Sequence, residues 1–324
     1  MRLIVCGGAG YIGSHMCKLL AESGHEVTVV DDLSTGHREA VQWGELQVGD
    51  IGDGSFLGPL FDRIRPQGVL HFAAKSLVSE SVAQPHEYWR NNVVATHTLL
   101  DHVRRTPGCV FVFSSTAAIF GNPDRDTIDE QQPCEPINAY GRTKLAIELL
   151  LRDYWKAYGL PSVSFRYFNA AGADASAAIG ESHQPESHLI PRVLESMLGR
   201  GEPLQVFGDD YPTPDGTCIR DYIHVSDLCK AHLLGLEHLQ RAPDAHFFNL
   251  GNGAGFSVRE VIQAAGDVIG RPIPYDIAPR RPGDPARLVA DSGKARDRLG
   301  WTPGYRDLRG IIETAWRWHS GRRF

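Results

Sequence analysis

Among the six cysteines of the 324-residue chain there is no CxxC pair. Cys6, Cys17, Cys109, Cys134, Cys218 and Cys229 are scattered, several of them inside apolar runs. That distribution argues against a disulfide frame and for free thiols in a reducing compartment. No apolar run approaches the length that spans a bilayer. The opening MRLIVCGGAGYIG has a basic start and small residues, yet its apolar run covers only Leu3 to Cys6 before glycine breaks it, too short for a secretory signal. A net charge of −6 gives no footprint for nucleic acid. No internal repeat and no low-complexity tract stands out. Asp209, Asp210 and Asp215 lack the spacing of a calcium loop, and His71, His224 and the other histidines show no metal-ligand spacing, so no metal is expected. What is left is a cytoplasmic globular protein with 42% hydrophobic and 22% charged residues, long enough for one large or two closely packed domains.

What is present begins with alternation. LIVCG, EVTVVDD, LQVGD, GVLHFAA, CVFVFSS and SVSFRYFN are apolar and rich in β-branched residues, and near-continuous hydrophobicity suits parallel strands covered on both faces. Between them YIGSHMCKLLAES, SFLGPLFDRIR, HEYWRNNVVATHTLLDHVRR and a stretch beginning near Tyr140 read as helices. Strand and helix in turn predict a doubly wound parallel α/β sheet of the Rossmann type. After Asn169 the chain becomes small and polar, a loop. Helices near 188–200, 226–241, 257–269 and 306–319 follow, with short strands LQVFG and HFFNLG between them. The expected division is 1–170 for a nucleotide-binding domain and 171–324 for a smaller α/β substrate domain, with some later segments returning to the first.

The glycines of GGAGYIG, Gly7, Gly10 and Gly13, fall between the first strand and the first helix. Glycine there permits a tight turn, close backbone approach to a pyrophosphate and close helix–strand packing, and the helix amino-terminus offers free N–H groups to phosphates. Asp31 ends the second strand 18 positions beyond Gly13. A carboxylate there accepts from ribose hydroxyls and repels a 2′-phosphate, favouring NAD over NADP. Asp50 reads equally as an adenine contact or as an ordinary turn residue. Asn91, inside a predicted helix, reads either as a polar contact or as part of a solvated face.

At the other end of the chemistry lies AYGRTK. Tyr140 and Lys144, four residues apart at a helix start, share one face, which alone fits mere surface placement. The fifth strand, however, ends in FSSTAAIFG, and ligands bind at the carboxyl ends of such strands. Ser114, Ser115 and Thr116 would then lie beside a nicotinamide, with Tyr140 and Lys144 facing the same crevice. A phenol near pKa 10 is a poor base at neutral pH, and a neighbouring ammonium together with a positive nicotinamide would favour the phenolate. These groups can take a proton from an alcohol while NAD takes a hydride.

A glycine-rich NAD fold carrying Thr116 and Tyr-x-x-x-Lys resembles the extended short-chain dehydrogenase/reductase family. GGAGYIGSH, HFAA, NNV, SSTAAIFG, YGRTK, RYFNAAGA, FGDDYPTPDGTCIRDYIHVSDL, NLGNG and APRRPGDPARLVAD are similar, in order and over nearly the whole chain, to the UDP-glucose 4-epimerases within it. The resemblance implies a homodimeric isomerase that interconverts UDP-glucose and UDP-galactose. NAD stays bound, Tyr140 acts as base at C4 with Thr116 assisting, and the 4-keto sugar rotates before hydride returns. It also implies NAD contacts for Tyr11, Ile12, Ile51, Phe72, Ala73, Ala74 and Tyr167. Arg220 and Arg281 match the diphosphate-binding arginines, whose guanidinium forks suit that task. Asp284 matches a ribose-contacting carboxylate, Asn169 a substrate-contacting amide, and His188 and Leu189 the uridine side. Ser115, Gln205, Phe207 and Tyr222 complete the implied substrate contacts.

The chain also departs from the pattern. Cys6 stands where threonine is frequent, and Phe120 replaces a usual tyrosine. Lys75 lies one place before the NAD-contacting lysine of some members, where this chain has Ser76. Leu288 replaces a bulky tyrosine found in members restricted to glucose and galactose, which leaves room for N-acetylated sugars. Three other readings compete. A nucleotide-sugar 4,6-dehydratase needs an acid–base pair after the threonine, where Ala117 and Ala118 stand. Epimerisation of a UDP-pentose or uronic acid is the second, and a non-catalytic NAD-binding regulator, which has no need of Tyr140 and Lys144, is the third.

Overall fold

A computed structural model describes residues 1–123, 125–281, 284–321 and 324. Strands β1 (Arg2–Cys6), β2 (Glu26–Asp31), β3 (Glu45–Val48), β4 (Gly68–His71), β5 (Val110–Ser114) and β6 (Ser162–Tyr167) lie in one sheet. Short strands β7 (Asn169–Ala171), β8 (Gln205–Phe207), β9 (Ile219–Arg220) and β10 (Tyr222–His224) follow in the chain, and then β11 (Ala245–Leu250) enters the same sheet beside β6. The order is β11-β6-β5-β4-β1-β2-β3, and every pairing is parallel.

Alternation along each strand explains the two-sided core. In β1, Leu3 and Val5 pack into one cluster with Met16, Leu20, Leu228 and Leu236, while Ile4 and Cys6 face another with Leu57, Leu99, Ile147 and Leu151. The first cluster is covered by helices α1 (Tyr11–Glu22) and, later in the chain, Val225–Arg241. The second is covered by α2 (Gly54–Ile64) and by the helices that follow β4. A sheet buried on both faces requires the near-continuous apolar strands that the sequence shows. All six cysteines are free and five are buried.

Residues 86–105 read as one helix in the sequence, but the chain divides them. After α3 (Val78–Ala83) comes a short α4 (Pro85–Tyr88), then a π-helical stretch over Trp89–Val94, then α5 (Ala95–Arg105). The wider turn rotates Asn92 inward, where it is 3% exposed. Its amide accepts from Lys75 N at 2.9 Å and donates to Lys75 O at 3.0 Å and to Thr143 Oγ1 at 3.2 Å. One side chain thus fastens the segment after β4 to α6 (Ala139–Tyr158).

Where the sequence reads only a loop after Asn169, β7 pairs with β10, Asn169 opposite Tyr222. Around it α7 (Leu189–Met197), α8 (Val225–Arg241), α9 (Val258–Ile269), α10 (Gly293–Leu299) and α11 (Leu308–Gly321) succeed one another along the chain. Helices α7, α9 and α11 enclose a third core of Ile190, Val193, Val261, Ile262, Ile311 and Ile312. Beside it β9 is flanked by β12 (Phe256–Ser257) and β14 (Arg287–Leu288), while β13 (Asp276–Ala278) pairs with β8. Among the described residues, no helix is long and apolar enough to cross a membrane.

Asp221 joins these short strands. It is fully buried and accepts from the backbone N–H groups of Asn252 (2.6 Å), Gly253 (2.9 Å) and Ala290 (3.1 Å). Gly251 is needed beside it, since a Cβ there would lie 2.4 Å from the carboxylate. In Asp221→Asn, one acceptor becomes an NH2 group facing backbone donors. The variant should lose about 1–3 kcal/mol, the cost of leaving buried polar groups unpaired. Urea denaturation checks it, and an unchanged midpoint would mean that the carboxylate is not structurally required.

Candidate active site

The first βα turn is shaped by its glycines. Gly7 has φ of +81°, and a Cβ there would lie 2.5 Å from Ala73 N. A Cβ on Gly13 would lie 2.0 Å from Gly7 O. At Gly10 the nearest atom would be Gly7 O at 3.4 Å, so the fold's own packing leaves room there. Gly10 caps α1 without a side-chain hydrogen bond, which leaves the first-turn N–H groups free for an anion. The hollow beside them is lined by Ala9, Tyr11, His37, Gly180, His183 and Phe324 among others. Asp31 closes the turn, accepting from Ala9 N and Leu33 N, both at 2.9 Å, and burial raises its pKa. Tyr11 donates to Gly172 O at 2.6 Å, tying α1 to the chain beyond β7. Ile12 is half-buried and Ile51 buried, while Phe72, Ala73 and Ala74, half-buried, continue β4 alongside the turn. Asp50 is exposed and its carboxylate accepts from Gly52 N at 2.7 Å, a local turn contact. Asn91 donates to Asn92. Lys75 pairs with Glu80 at 3.4 Å.

At the carboxyl end of β5, Lys144 is 4% exposed and its Nζ donates to Ser114 O at 2.8 Å. The ammonium lies 4.9 Å from the Phe113 ring centroid and 5.9 Å from that of Tyr140. Burial pushes its pKa down to about 7. Burial raises the pKa of the Tyr140 hydroxyl, and the neighbouring Thr116 hydroxyl lowers it. Thr116 also caps the turn over Ala117–Phe120 by accepting from Ala118 N at 3.1 Å. Ser114 Oγ and Tyr167 Oη lie 2.5 Å apart. The structure therefore gathers Thr116, Tyr140, Lys144, Ser114 and Tyr167. Ser115 does not join them. It is 1% exposed and donates to Glu148 Oε1 at 2.6 Å, so the expectation of a substrate contact is corrected: its hydroxyl serves a buried ion pair.

On the far side, β9 and β14 set Arg220 opposite Leu288 in register. Leu288 packs with Ala117, Ile119, Phe120 and Ile128, which links it to the turn after Thr116. Arg220 pairs directly with Asp284 and donates to Ile219 O at 2.8 Å. Arg281, exposed, stacks 4.0 Å over the ring of Phe207, whose strand also carries exposed Gln205. Asn169 donates to Asp221 O at 3.0 Å, and Tyr222 is buried. His188, exposed at the start of α7, contacts Glu181 at 2.6 Å and precedes half-buried Leu189.

Residues 3–251 match the NAD dependent epimerase/dehydratase family. The chain belongs to that family. It is 53% identical over 320 residues to a UDP-glucose 4-epimerase of Halalkalibacterium halodurans, covering 99% of this chain and 96% of that one. To a UDP-glucose 4-epimerase of Corynebacterium glutamicum it is 50% identical, with 99% and 96% covered. A crystal structure of UDP-glucose 4-epimerase from Brucella ovis in complex with NAD superposes with a TM-score of 0.95 at 50% identity, covering 97% of each chain. The NAD of this epimerase/dehydratase family fits the turn described: the room at Gly10, the uncapped start of α1 and the buried Asp31 form a cradle for a diphosphate and a ribose.

Sequence reasoning missed three groups. Asn92 is the inward neighbour of the chosen Asn91, and its signal was the NN pair in a helical run. Glu148 and Arg166 form a buried pair at 2.6 Å under Ser115, with side chains 3% and 2% exposed, and the sequence carries no local signal for it. Asp221 fell within a quoted motif but not among the predicted contacts.

Lys144 gives this epimerase/dehydratase site a pH signature. Its folded pKa of about 7 lies below the ordinary lysine value of 10.5. Between them the unfolded chain carries the proton and the folded one does not, so this group makes stability rise with pH across that window. In cofactor-free protein, the stability difference between parent and Lys144→Met should therefore change in the parent's favour from pH 7 to 10. Denaturant titrations at four pH values check the sign; a flat difference would place the ammonium in a wetter site.

Proposed function

We propose that the chain is a UDP-glucose 4-epimerase that interconverts UDP-glucose and UDP-galactose. The observation that carries this reading is the gathering of Tyr140 and Thr116 beside the buried Lys144, at the carboxyl ends of the sheet strands. Identity of about half over nearly the full length of bacterial UDP-glucose 4-epimerases supports it. Tyr140 takes the proton from the sugar's 4-hydroxyl, and Thr116 holds that oxygen in place. The positive charge of Lys144 lowers the cost of the phenolate. NAD, bound along Gly7–Gly13 and Asp31 with Ser114 and Tyr167 nearby, supplies the hydride acceptor and donor. Tyr140 returns the proton once the 4-keto sugar has turned its other face.

The diphosphate has to stay anchored through that turn. Arg220 and Arg281 hold it, Asp284 takes the ribose, and Asn169, His188, Leu189, Gln205, Phe207 and Tyr222 line the remainder. The pairing of Arg220 with Asp284 supports this, because both groups stand ready on one edge and a diphosphate is the stronger partner for the guanidinium. Residues 1–170 hold NAD and 171–324 hold most of the nucleotide sugar, with β11 and α8 packing back on the first lobe. The working unit is a cytoplasmic homodimer joined through the helices of the first lobe, where Val94 and Leu149 are 60% and 50% exposed. Leu288, in register with Arg220, makes the sugar pocket permissive for N-acetylated sugars.

Proton NMR of purified protein with UDP-galactose and no added NAD should show conversion to UDP-glucose, and silence even with added NAD would remove the assignment. Tyr140→Phe should lower kcat by about 10²–10⁴-fold, the usual weight of a general base; a loss of only a few fold would mean another base. UDP-N-acetylgalactosamine should also convert, and Leu288→Tyr should suppress that conversion while sparing UDP-galactose. No turnover of the N-acetylated sugar by the parent protein would close the permissive pocket.

A further inference from the structure

Four side chains on residues 181–188 converge on one point outside the groups used above for proton transfer. The donor atoms of Glu181, His183, Glu186 and His188 all lie within 4.8 Å of one another. The Nδ1 atoms of His183 and His188 stand 3.2 and 2.6 Å from Glu181 Oε1, and 3.7 and 3.4 Å from the Glu186 oxygens. Zinc with nitrogen and oxygen ligands at about 2.0–2.2 Å has tetrahedral edges of about 3.3 Å. These four separations straddle that edge length; the shortest, His188 to Glu181, has to open, and the wider pairs, which reach at most 4.8 Å, have to close.

Two further observations point to an ion. His183 Nδ1 is buried with no hydrogen-bond partner in line, although it faces two carboxylates. The Glu186 carboxylate is also held from behind, as metal-bound carboxylates commonly are. Glu186 Oε1 accepts from Ser187 N at 2.7 Å and His188 N at 2.8 Å, while Trp318 Nε1 donates to the backbone carbonyl of Glu181 at 2.8 Å and fixes the chain there. We propose that Glu181, His183, Glu186 and His188 bind a zinc ion through two carboxylates and two imidazole Nδ1 atoms. This departs from the expectation of no metal drawn from the sequence, where the pattern ExHxxExH is too compact to resemble a common zinc motif. The ion neutralises two buried carboxylates without requiring both imidazoles to be protonated. It also pins the segment that carries Ser182 and His183 along the hollow beside Gly10 and Tyr11. Its chemistry is structural, with four protein ligands and no open position.

The test uses the full chain with its cofactor. Protein is stripped with EDTA, desalted, exposed to zinc chloride, desalted again and analysed for metal. About one zinc per chain is expected for the parent, as for a closed four-ligand site, and less than about a tenth for a His183→Ala/His188→Gln double variant. Anomalous diffraction at the zinc edge should place a peak among the four side chains, a measurement that needs no variant. Zinc should raise the thermal midpoint of the parent and leave that of the folded double variant unchanged. No retained zinc in the parent, equal retention in the variant or an anomalous peak elsewhere would each overturn the site and leave an ion-pair network of protonated histidines.

Discussion

A lysine ammonium buried against one backbone carbonyl is the constraint on which the site depends. Lys144 donates to Ser114 O, and ring faces of Phe113 and Tyr140 supply its next nearest favourable contacts. Such a charge is costly away from water unless it is hydrogen-bonded, so the acceptor has to be held rigidly within its reach. That rigidity comes from α6, whose start is capped by Asn138 and whose Thr143 receives the Asn92 amide. Asn92 in turn fixes the chain after β4, the strand end that packs on Gly7. Cofactor turn and proton-transfer group are thus linked by one buried amide as well as by the adjacent strands β1, β4 and β5.

The expected and observed roles of Lys144 differ in an instructive way. The sequence suggests that the ammonium lowers the pKa of Tyr140. In the chain alone, burial raises Tyr140 and lowers Lys144, so each group resists ionisation where it stands. The favourable pairing of a phenolate with an ammonium becomes available once both are enclosed together with further positive charge. Under the proposed reading, phenolate then belongs to the assembled state, when a substrate hydroxyl is there to give up its proton.

How much was legible follows from the range of each signal. Gly7, Gly13 and Asp31 could be read because their duties are local: a positive φ, a close backbone approach and a strand-end carboxylate all lie within one βαβ unit. Tyr140 and Lys144 could be read because helical spacing places them together. Ser115 could not, because its partner Glu148 lies 33 residues away and is itself engaged by Arg166 from the next strand. Asn92 could not be separated from Asn91, because choosing between them requires the π-helical turn that rotates one of them inward. Asp221 serves three N–H groups from segments 31 to 69 residues distant, and no window of sequence contains them.

The same split governs the two halves of the cleft. On the cofactor side, the fold's own packing demands Gly7 and Gly13, so the turn keeps its shape without a ligand. On the side proposed for the nucleotide sugar, Arg220 is balanced by Asp284 and Arg281 rests on Phe207, contacts between side chains that a ligand's groups can replace. A rigid cradle suits a group that stays, and exchangeable pairs suit one that comes and goes. Leu288 lies where these demands meet, packed on the turn after Thr116 and in register with Arg220. Under the proposed reading its side chain, which makes no hydrogen bond, bounds the sugar by volume without fixing the sugar's orientation. A sugar that must present both faces to one base needs a wall of that kind.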